Sequence, residues 1–250
     1  MLPWRAYSYG PDPAESLHFF PARRADSPLC VFVHGGYWKE LSEAESSFPA
    51  LELVPRGTAF AALGYGLAPR HRLTAIVAMV RRGILWLYRN ASVLGFRADR
   101  IYLSGSSAGA HLVAMCLLEG WLPTPLRPSD VVRAATLLSG IYELTPLCDT
   151  SIGADIMLTG EEAERLSPVR YLHDGLPPLL VARGDIETPA FADQQDYLVA
   201  AARQVGVTAE DLVVMNRNHF DLPFGLGDPG DALGRAQLAL MGLVQVGESA

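Results

Sequence analysis

The sequence predicts an α/β fold in which helices flank a mostly parallel central sheet. Short apolar runs alternate along the chain with segments of helical periodicity, and this alternation is typical of an open α/β sheet. Several runs are apolar at almost every position, as expected for strands that helices cover on both faces. Half of the 250 residues are hydrophobic, so the chain can bury a substantial core. We expect one domain over residues 1–250, without a large cap domain.

The individual elements are predicted from their apolar patterns. Strands are predicted where apolar, β-branched and aromatic residues form short runs: residues 17–21, 29–34, 58–64, 101–104, 134–139, 179–182 and 212–215. Helices are predicted where apolar residues recur at three-and-four spacing or where helix formers follow a strand: residues 73–88, 108–118, 191–205 and 233–243. The proline-rich residues 122–128 are predicted to form a loop.

Charge and cysteine content restrict the partners and the compartment. The formal net charge of −7 provides no electrostatic footprint for nucleic acid or an anionic membrane. Arg81 and Arg82 interrupt the longest apolar stretch, and the N-terminal residues lack the apolar run of a secretory signal. Cys30, Cys116 and Cys148 are odd in number and lie in apolar surroundings, which predicts buried free thiols. We expect a cytoplasmic protein with a small-molecule substrate and with no nucleic-acid or membrane partner; a homodimer is compatible with the sequence.

A candidate nucleophile stands at the join of a predicted strand and a predicted helix. Residues 105–109 read Gly-Ser-Ser-Ala-Gly, which is the G-x-S-x-G pattern centred on Ser107. At a sharp strand-to-helix turn, side chains two residues either side of the serine would collide with neighbouring backbone. Glycine at positions 105 and 109 avoids that collision and lets the serine hold a strained, exposed geometry. The alternative is a tight turn that only requires small residues.

A serine nucleophile needs a general base, and six histidines are available. His219 follows the last predicted strand, where it could reach over the carboxyl edge of the sheet, and it is the candidate base. His111 lies one helical turn beyond Ser107, so we interpret it as structural. The remaining histidines precede the serine or lie in loops: His18, His34, His71 and His173.

The base in turn needs a carboxylate to orient it. Two carboxylates, Asp185 and Glu187, follow the strand predicted at residues 179–182. Aspartate is the commoner third member of such triads, whereas the position within the loop favours Glu187. The residues alone leave this choice open.

A glycine pair follows the apolar strand at residues 29–34 and predicts an oxyanion hole. Residues 34–38 read His-Gly-Gly-Tyr-Trp, and the glycines let backbone N–H groups approach a substrate oxygen. A further donor is the N–H of Ala108, the residue after the candidate nucleophile. We expect His34 to support this loop by hydrogen bonding. For Trp38, packing in the core is favoured over a role as a platform for substrate.

With these motifs the chain resembles the α/β-hydrolase superfamily. More narrowly, it is similar to the kynurenine (aryl) formamidases, neighbours of the hormone-sensitive-lipase type esterases. The resemblance is carried by HGGYW, GYGLAPRHRL, GSSAGAHL, LLSGIYELTPL with GEEAERLSP, and NHFDL, from about Leu29 to the end of the chain. Lipase-type esterases usually have a third glycine where this chain has Tyr37.

The resemblance implies roles that spacing alone does not decide. The stretch ETPAFADQQ matches the family's acid segment and assigns the acid to Glu187, although Asp185 stands two residues earlier. It likewise assigns the oxyanion donors to the N–H groups of Gly36, Tyr37 and Ala108.

The implied reaction is cofactor-free hydrolysis of an aryl formamide such as N-formylkynurenine. Ser107 would form a formyl- or acyl-enzyme, with His219 as base and Glu187 as the orienting acid. The aromatic leaving part would need an apolar wall, for which Tyr37, Trp38 and Tyr142 are the candidates.

The sequence is compatible with two other functions. A small-molecule carboxylesterase would use the same residues, and a non-catalytic hydrolase fold could serve as a binding module. The intact nucleophile, base and oxyanion motifs argue against the binding module. No metal site is expected, because the histidines and carboxylates show no ligand spacing.

Overall fold

The computed structural model describes residues 2–243 and has a central sheet of eight strands. The strands are Arg5–Ser8 (β1), Ser16–Phe20 (β2), Ser27–Val33 (β3), Ala59–Leu63 (β4), Phe96–Ser106 (β5), Ala134–Leu138 (β6), Leu179–Ile186 (β7) and Ala209–Asn218 (β8). They lie in the order β1-β2-β4-β3-β5-β6-β7-β8. β2 is antiparallel to both of its neighbours, and the pairs from β4 to β8 are parallel. This confirms the mostly parallel sheet that the sequence predicts.

Helices cover both faces of the sheet. They are Ala50–Leu53 (α1), Leu73–Leu94 (α2), Ala108–Leu117 (α3), Pro128–Val131 (α4), Ser151–Asp155 (α5), Gly160–Arg165 (α6), Pro189–Gln204 (α7) and Ala232–Leu240 (α8). Three 3₁₀ turns add Thr145–Leu147, Pro168–Tyr171 and Leu222–Gly225. Between β6 and β7 the chain forms only the short α5 and α6 with two of these turns, so no large cap covers the sheet. None of the helices between residues 2 and 243 is long and apolar enough to cross a bilayer.

The hydrophobic core has two parts because strand side chains alternate between the faces of the sheet. On β3, Val31 and Val33 pack in the cluster that includes α2, α3 and α7, whereas Cys30 and Phe32 pack in the cluster that includes α1 and α8. All seven residues of β3 are buried. A strand buried on both faces reads in sequence as an uninterrupted apolar run, which is why the run pattern predicts β3 correctly.

The differences from the sequence prediction lie at the periphery. β1 was not predicted because its sequence, RAYS, is largely exposed and has no apolar run; it is held by antiparallel pairing with β2. β5 begins five residues before the predicted start, since its polar residues continue the strand outside the core. Cys148 is only half-buried, unlike Cys30 and Cys116, because it follows a surface 3₁₀ turn.

The turn from β5 into α3 tests the predicted need for glycine. A Cβ on Gly105 would overlap the backbone of Gly109, and a Cβ on Gly109 would overlap the carbonyl oxygens of Val33 and His34. Both glycines are therefore required by close backbone approach, as the sequence pattern predicts.

We expect Gly109→Ala to lower the free energy of unfolding by at least about 2 kcal/mol, because neither overlapped carbonyl belongs to a flexible side chain. Gly160→Ala is the matched control, since a Cβ there meets nothing within 4 Å and should be neutral or slightly stabilising. Urea unfolding of both variants measures the difference. Equal stabilities would contradict the packing argument.

Candidate active site

Four polar residues meet where neighbouring parallel strands end. Ser107 follows β5, Ser139 follows β6, Glu187 follows β7 and His219 follows β8. The loop at residues 34–38 follows β3, the neighbour of β5 on the other side. Because the carboxyl ends of parallel strands share one edge of a sheet, the topology alone gathers these residues into one region.

Ser107 occupies the strained turn that its sequence context predicts. Its backbone has φ 56° and ψ −119°, a region that residues other than glycine rarely adopt. The Ser107 N–H donates to Leu138 O at 2.8 Å, which ties the turn to the end of β6. A Cβ on Gly35 would lie 2.9 Å from Ser106 O and 3.3 Å from Ser107 Cβ, so the β3 loop packs directly on the turn.

Glu187 and His219 are joined by a hydrogen bond beside this turn. Glu187 Oε2 lies 2.9 Å from His219 Nδ1. Glu187 Oε1 accepts the Ser139 hydroxyl at 2.6 Å and the Gly184 N–H at 2.7 Å. The Glu187 side chain is 1% exposed and that of His219 is 20% exposed, so the carboxylate is shielded while the imidazole reaches the cleft.

The charge state of Glu187 follows from these contacts. Burial alone raises the pKa of its carboxyl group, but the hydrogen bonds from His219, Ser139 and the Gly184 N–H outweigh burial. Together they hold the pKa of Glu187 below its ordinary value. The residue is therefore an anion at neutral pH, as a group that stabilises an imidazolium must be.

Asp185, the alternative acid, lies elsewhere. It is exposed, and its Oδ1 accepts the backbone N–H of Arg217 at 3.2 Å. The register of β7 against β8 shifts between Gly184 and Ile186, at the position of Asp185. The structure brings Glu187, and not Asp185, to His219.

Aromatic rings hold the imidazole of His219 on two sides. Phe191 stacks on it with ring centroids 4.3 Å apart, and Phe220 meets it edge-on at 5.6 Å. The loop that carries His219 is closed by Asn218, whose backbone N–H and side-chain amide both donate to Asp221 at 2.7 and 2.9 Å.

Ser107, Glu187 and His219 all line one cleft of about 1000 Å³. No hydrogen bond joins the Ser107 hydroxyl to His219 within residues 2–243. Serine–histidine hydrogen bonds in unliganded hydrolases are often long and tighten when substrate binds. The shared cleft is therefore the geometric link between the serine and the Glu187–His219 pair.

The loop after β3 presents backbone donors to the same cleft. Gly36 and Tyr37 line it, with φ of 91° and 48°. In the part of the chain that the structure describes, no protein group accepts the N–H of Gly36 or Tyr37. Ala108 is the first residue of α3, so its N–H has no acceptor within the helix, and the residue is fully buried behind Ser107.

Tyr65 and His34 fix the start of this loop. The Tyr65 hydroxyl donates to His34 O at 2.8 Å and approaches Gly35 O at 3.2 Å, and the Tyr65 ring stacks on the His34 imidazole at 4.0 Å. Burial lowers the pKa of His34 to about 4, so its ring is neutral at pH 7. These contacts agree with a supporting role for His34.

One of the three aromatic candidates for the apolar wall lies in the cleft. Tyr37 lines the cleft, but Trp38 and Tyr142 do not, because they are 0% and 1% exposed and pack in the core. Phenylalanines that sequence reasoning missed supply most of the aromatic wall: Phe48, Phe191, Phe220 and Phe224. Two of them follow His219 in the stretch HFDLPFG, which was the available signal.

Ser139 was also missed. Its only sequence signal is its place at the carboxyl end of a strand, in LLSG.

The other predicted structural histidine, His111, is fully buried in α3 and does not line the cleft. Residues 2–243 contain no group of three or more His, Cys, Asp or Glu side chains placed to hold a metal ion.

Comparisons with known proteins place this geometry in a family. The BD-FAE family model matches residues 17–121. A kynurenine formamidase from Salmo salar is 34% identical over 94% of this chain and 80% of its own length. An isoprenylcysteine α-carbonyl methylesterase from Arabidopsis thaliana is 30% identical over 87% of this chain and 56% of its own length.

The fold has a solved counterpart. The structure of an esterase from Thermogutta terrifontis superposes with a TM-score of 0.75 at 22% identity, covering 95% of this chain and 89% of that one. This neighbour supports the α/β-hydrolase fold, and the sequence relatives are hydrolases of formamides and esters. From the identity to the Salmo salar protein and its coverage, the chain belongs to the kynurenine formamidase family of α/β-hydrolases and is a hydrolase of arylformamidase or esterase type.

Proposed function

We propose that this hydrolase cleaves aryl formamides such as N-formylkynurenine, with Ser107 as nucleophile, His219 as general base and Glu187 as the orienting acid. The observation that carries the proposal is the 2.9 Å contact between Glu187 Oε2 and His219 Nδ1, in the cleft that Ser107 also lines. A carboxylate on Nδ1 leaves Nε2 as the nitrogen that can take the serine proton.

The reaction has two halves. Ser107 Oγ attacks the formyl carbon while His219 accepts its proton, and the N–H groups of Gly36, Tyr37 and Ala108 stabilise the oxyanion that forms. The C–N bond then breaks, the proton passes from His219 to the departing arylamine, and a formyl ester remains on Ser107. Water, activated by His219, attacks this ester and releases formate and the free serine.

The cleft fits the two parts of such a substrate unequally. A formyl group needs little space beside Ser107, whereas an arylamine leaving group needs an apolar, aromatic surface. Phe191 and Phe220, which flank His219, offer that surface next to the atom that protonates the leaving nitrogen. Aromatic stacking at the leaving-group side therefore favours aryl formamides.

An ester substrate is the second candidate. The cleft of about 1000 Å³ is much larger than a formyl group requires, so it can accommodate a longer acyl chain. The methylesterase from Arabidopsis thaliana shows that close relatives include ester hydrolases. The relatives are enzymes, which leaves no reason to retain the non-catalytic binding module.

Several expectations stay predictions. These are the organisation of residues 1–250 as one domain, the cytoplasmic location and a homodimeric state.

We expect a fluorophosphonate probe to label Ser107 and no other serine. Ser107→Ala should reduce turnover by several orders of magnitude, up to about 10⁶, with the fold intact. Ser106→Ala is the matched control, because its side chain is the adjacent hydroxyl and lines the same cleft. Peptide mass spectrometry locates the adduct, and an adduct on Ser106 would overturn the assignment.

We expect Glu187→Gln to lower kcat by up to about 10⁴, since the amide keeps the shape but not the charge that stabilises the imidazolium.

Asp185→Asn is the control for this variant. It changes the other candidate carboxylate, which only accepts a backbone N–H at 3.2 Å, and activity should stay within about twofold of the parent. Steady-state rates from pH 5 to 9 measure both variants. A large loss in Asp185→Asn with full activity in Glu187→Gln would reverse the assignment of the acid.

Substrate class is decided by kcat/KM for N-formylkynurenine against short aryl and alkyl esters. We expect the formamide to exceed every ester by at least about tenfold, a difference of about 1.4 kcal/mol in transition-state stabilisation. Higher values for a butyrate than for an acetate ester, together with slow formamide turnover, would favour the esterase.

A further inference from the structure

We propose that His111 is a positioning residue that holds the oxyanion loop in place through Trp38. The oxyanion loop is residues 34–38. This inference rests on the proposed function, because it takes the N–H groups of Gly36 and Tyr37 as the oxyanion donors. It concerns how those donors are fixed, which the triad itself does not explain.

A chain of buried hydrogen bonds connects the loop to the rest of the fold. Trp38 Nε1–H donates to His111 Nδ1 at 3.2 Å, and His111 Nε2 lies 2.7 Å from the carbonyl oxygen of Leu166. The two rings meet edge-to-face at 90°, with centroids 5.1 Å apart. Trp38 and His111 are both 0% exposed, so no water competes for these bonds.

The partners of His111 determine its tautomer. An indole N–H can only donate and a carbonyl oxygen can only accept. His111 must therefore carry its proton on Nε2 and offer a lone pair on Nδ1, which is the neutral form. Burial lowers the pKa of His111 to about 4, in agreement with a neutral ring at pH 7. Both nitrogens are occupied, so His111 has none free to act as a base.

The oxyanion loop needs such a restraint because its backbone is strained. Gly36, Tyr37 and Trp38 have φ of 91°, 48° and 59° in succession. Positive φ at two consecutive aromatic residues persists only where surrounding contacts over-determine the conformation. Trp38 directly follows Tyr37 in the chain. Fixing the indole of Trp38 therefore restrains the backbone of Gly36 and Tyr37, whose N–H groups face the cleft.

The other contacts of Trp38 and Lys39 do not replace this restraint. The Trp38 carbonyl accepts the Ala68 N–H at 2.8 Å. This bond fixes the backbone at the end of the loop but leaves the Trp38 indole free. Lys39 Nζ pairs with Asp155 at 2.6 Å, but this pair is partly exposed, and exposed ion pairs contribute little. The indole–imidazole bond is a buried side-chain hydrogen bond that ties the loop to α3, the helix that follows Ser107.

The test compares His111→Leu, Trp38→Phe and the double variant, using 4-nitrophenyl acetate as substrate. His111→Leu removes the acceptor at similar volume, and we expect kcat to fall by about 10²–10³, the effect of losing one oxyanion donor. KM should stay within about twofold, because the loop stabilises the transition state and not the bound substrate. The double variant should lose no more than the larger single loss, since both changes break the same bond.

His111→Asn provides the rescue. Its side-chain oxygen can accept the Trp38 N–H from nearly the position of Nδ1, so part of the kcat lost in His111→Leu should return. This variant and Trp38→Phe also keep the proposal testable if His111→Leu fails to fold.

Trp121→Phe is the matched control. It removes another indole hydrogen bond to α3, from Trp121 Nε1 to Cys116 O at 3.1 Å, and Trp121 does not line the cleft. We expect it to lower Tm and leave kcat unchanged, which separates a stability effect from loss of the oxyanion loop.

Two results would overturn the proposal. One is an unchanged kcat in folded His111→Leu and Trp38→Phe; the other is losses that add in the double variant. The proposed function fails separately, by absence of phosphonate labelling at Ser107 or by full activity of Ser107→Ala. An inactive Ser107→Ala with a fully active His111→Leu would reject only the role of His111.

Discussion

The backbone of the serine turn packs directly against the backbone of the oxyanion loop, and the arrangement of the site depends on this contact. Gly109, in the first turn of α3, lies under the carbonyl oxygens of Val33 and His34 with no room for a side chain. A Cβ on Gly35 would lie 2.9 Å from Ser106 O and 3.3 Å from Ser107 Cβ. A methyl group on either glycine would move the nucleophile away from the N–H groups that face the same cleft. Gly35 and Gly109 therefore set the distance on which oxyanion stabilisation relies.

The parallel sheet supplies the remaining positions. Each candidate catalytic residue follows a strand end, and the acid and base come from the adjacent strands β7 and β8. The carboxylate of Glu187 is nearly fully buried, a state that costs several kcal/mol per ion unless hydrogen bonds compensate. That compensation comes from the Ser139 hydroxyl, the Gly184 N–H and His219. Ser139 directly follows β6, the strand that pairs with β7. The ends of three neighbouring strands thus keep a charged acid in a buried position.

How much of this can be predicted from sequence depends on whether the signal is local. The serine turn at residues 105–109 and the glycine pair at residues 35–36 are local patterns, so their geometry follows from steric requirements within a few residues. The choice between Asp185 and Glu187 is not local, because it turns on an irregular pairing between β7 and β8. The candidates for the cleft wall are undecided for a similar reason: sequence shows an aromatic residue near the site but not which way its side chain faces. The structure buries Tyr142, and it buries Trp38 as its expected packing role requires. Strand β1 has no apolar run at all, and only its pairing with β2 defines it.

Strain and function coincide in this molecule. Seven non-glycine residues between positions 2 and 243 have positive φ, and four of them are Tyr37, Trp38, Ser107 and Ser139. Such conformations cost about 1–3 kcal/mol each, so the site stores a sizeable fraction of a domain's net stability. Backbone hydrogen bonds offset that cost at Ser107 and Ser139, whose N–H groups donate to Leu138 O and Ala182 O at 2.8 Å. The oxyanion loop has no strand to pair with; backbone N–H groups donate to its Gly36 O at 3.0 Å and to its Trp38 O at 2.8 Å, and side chains supply a further offset. A buried indole and imidazole can provide it, because in the core their bond has no competition from water.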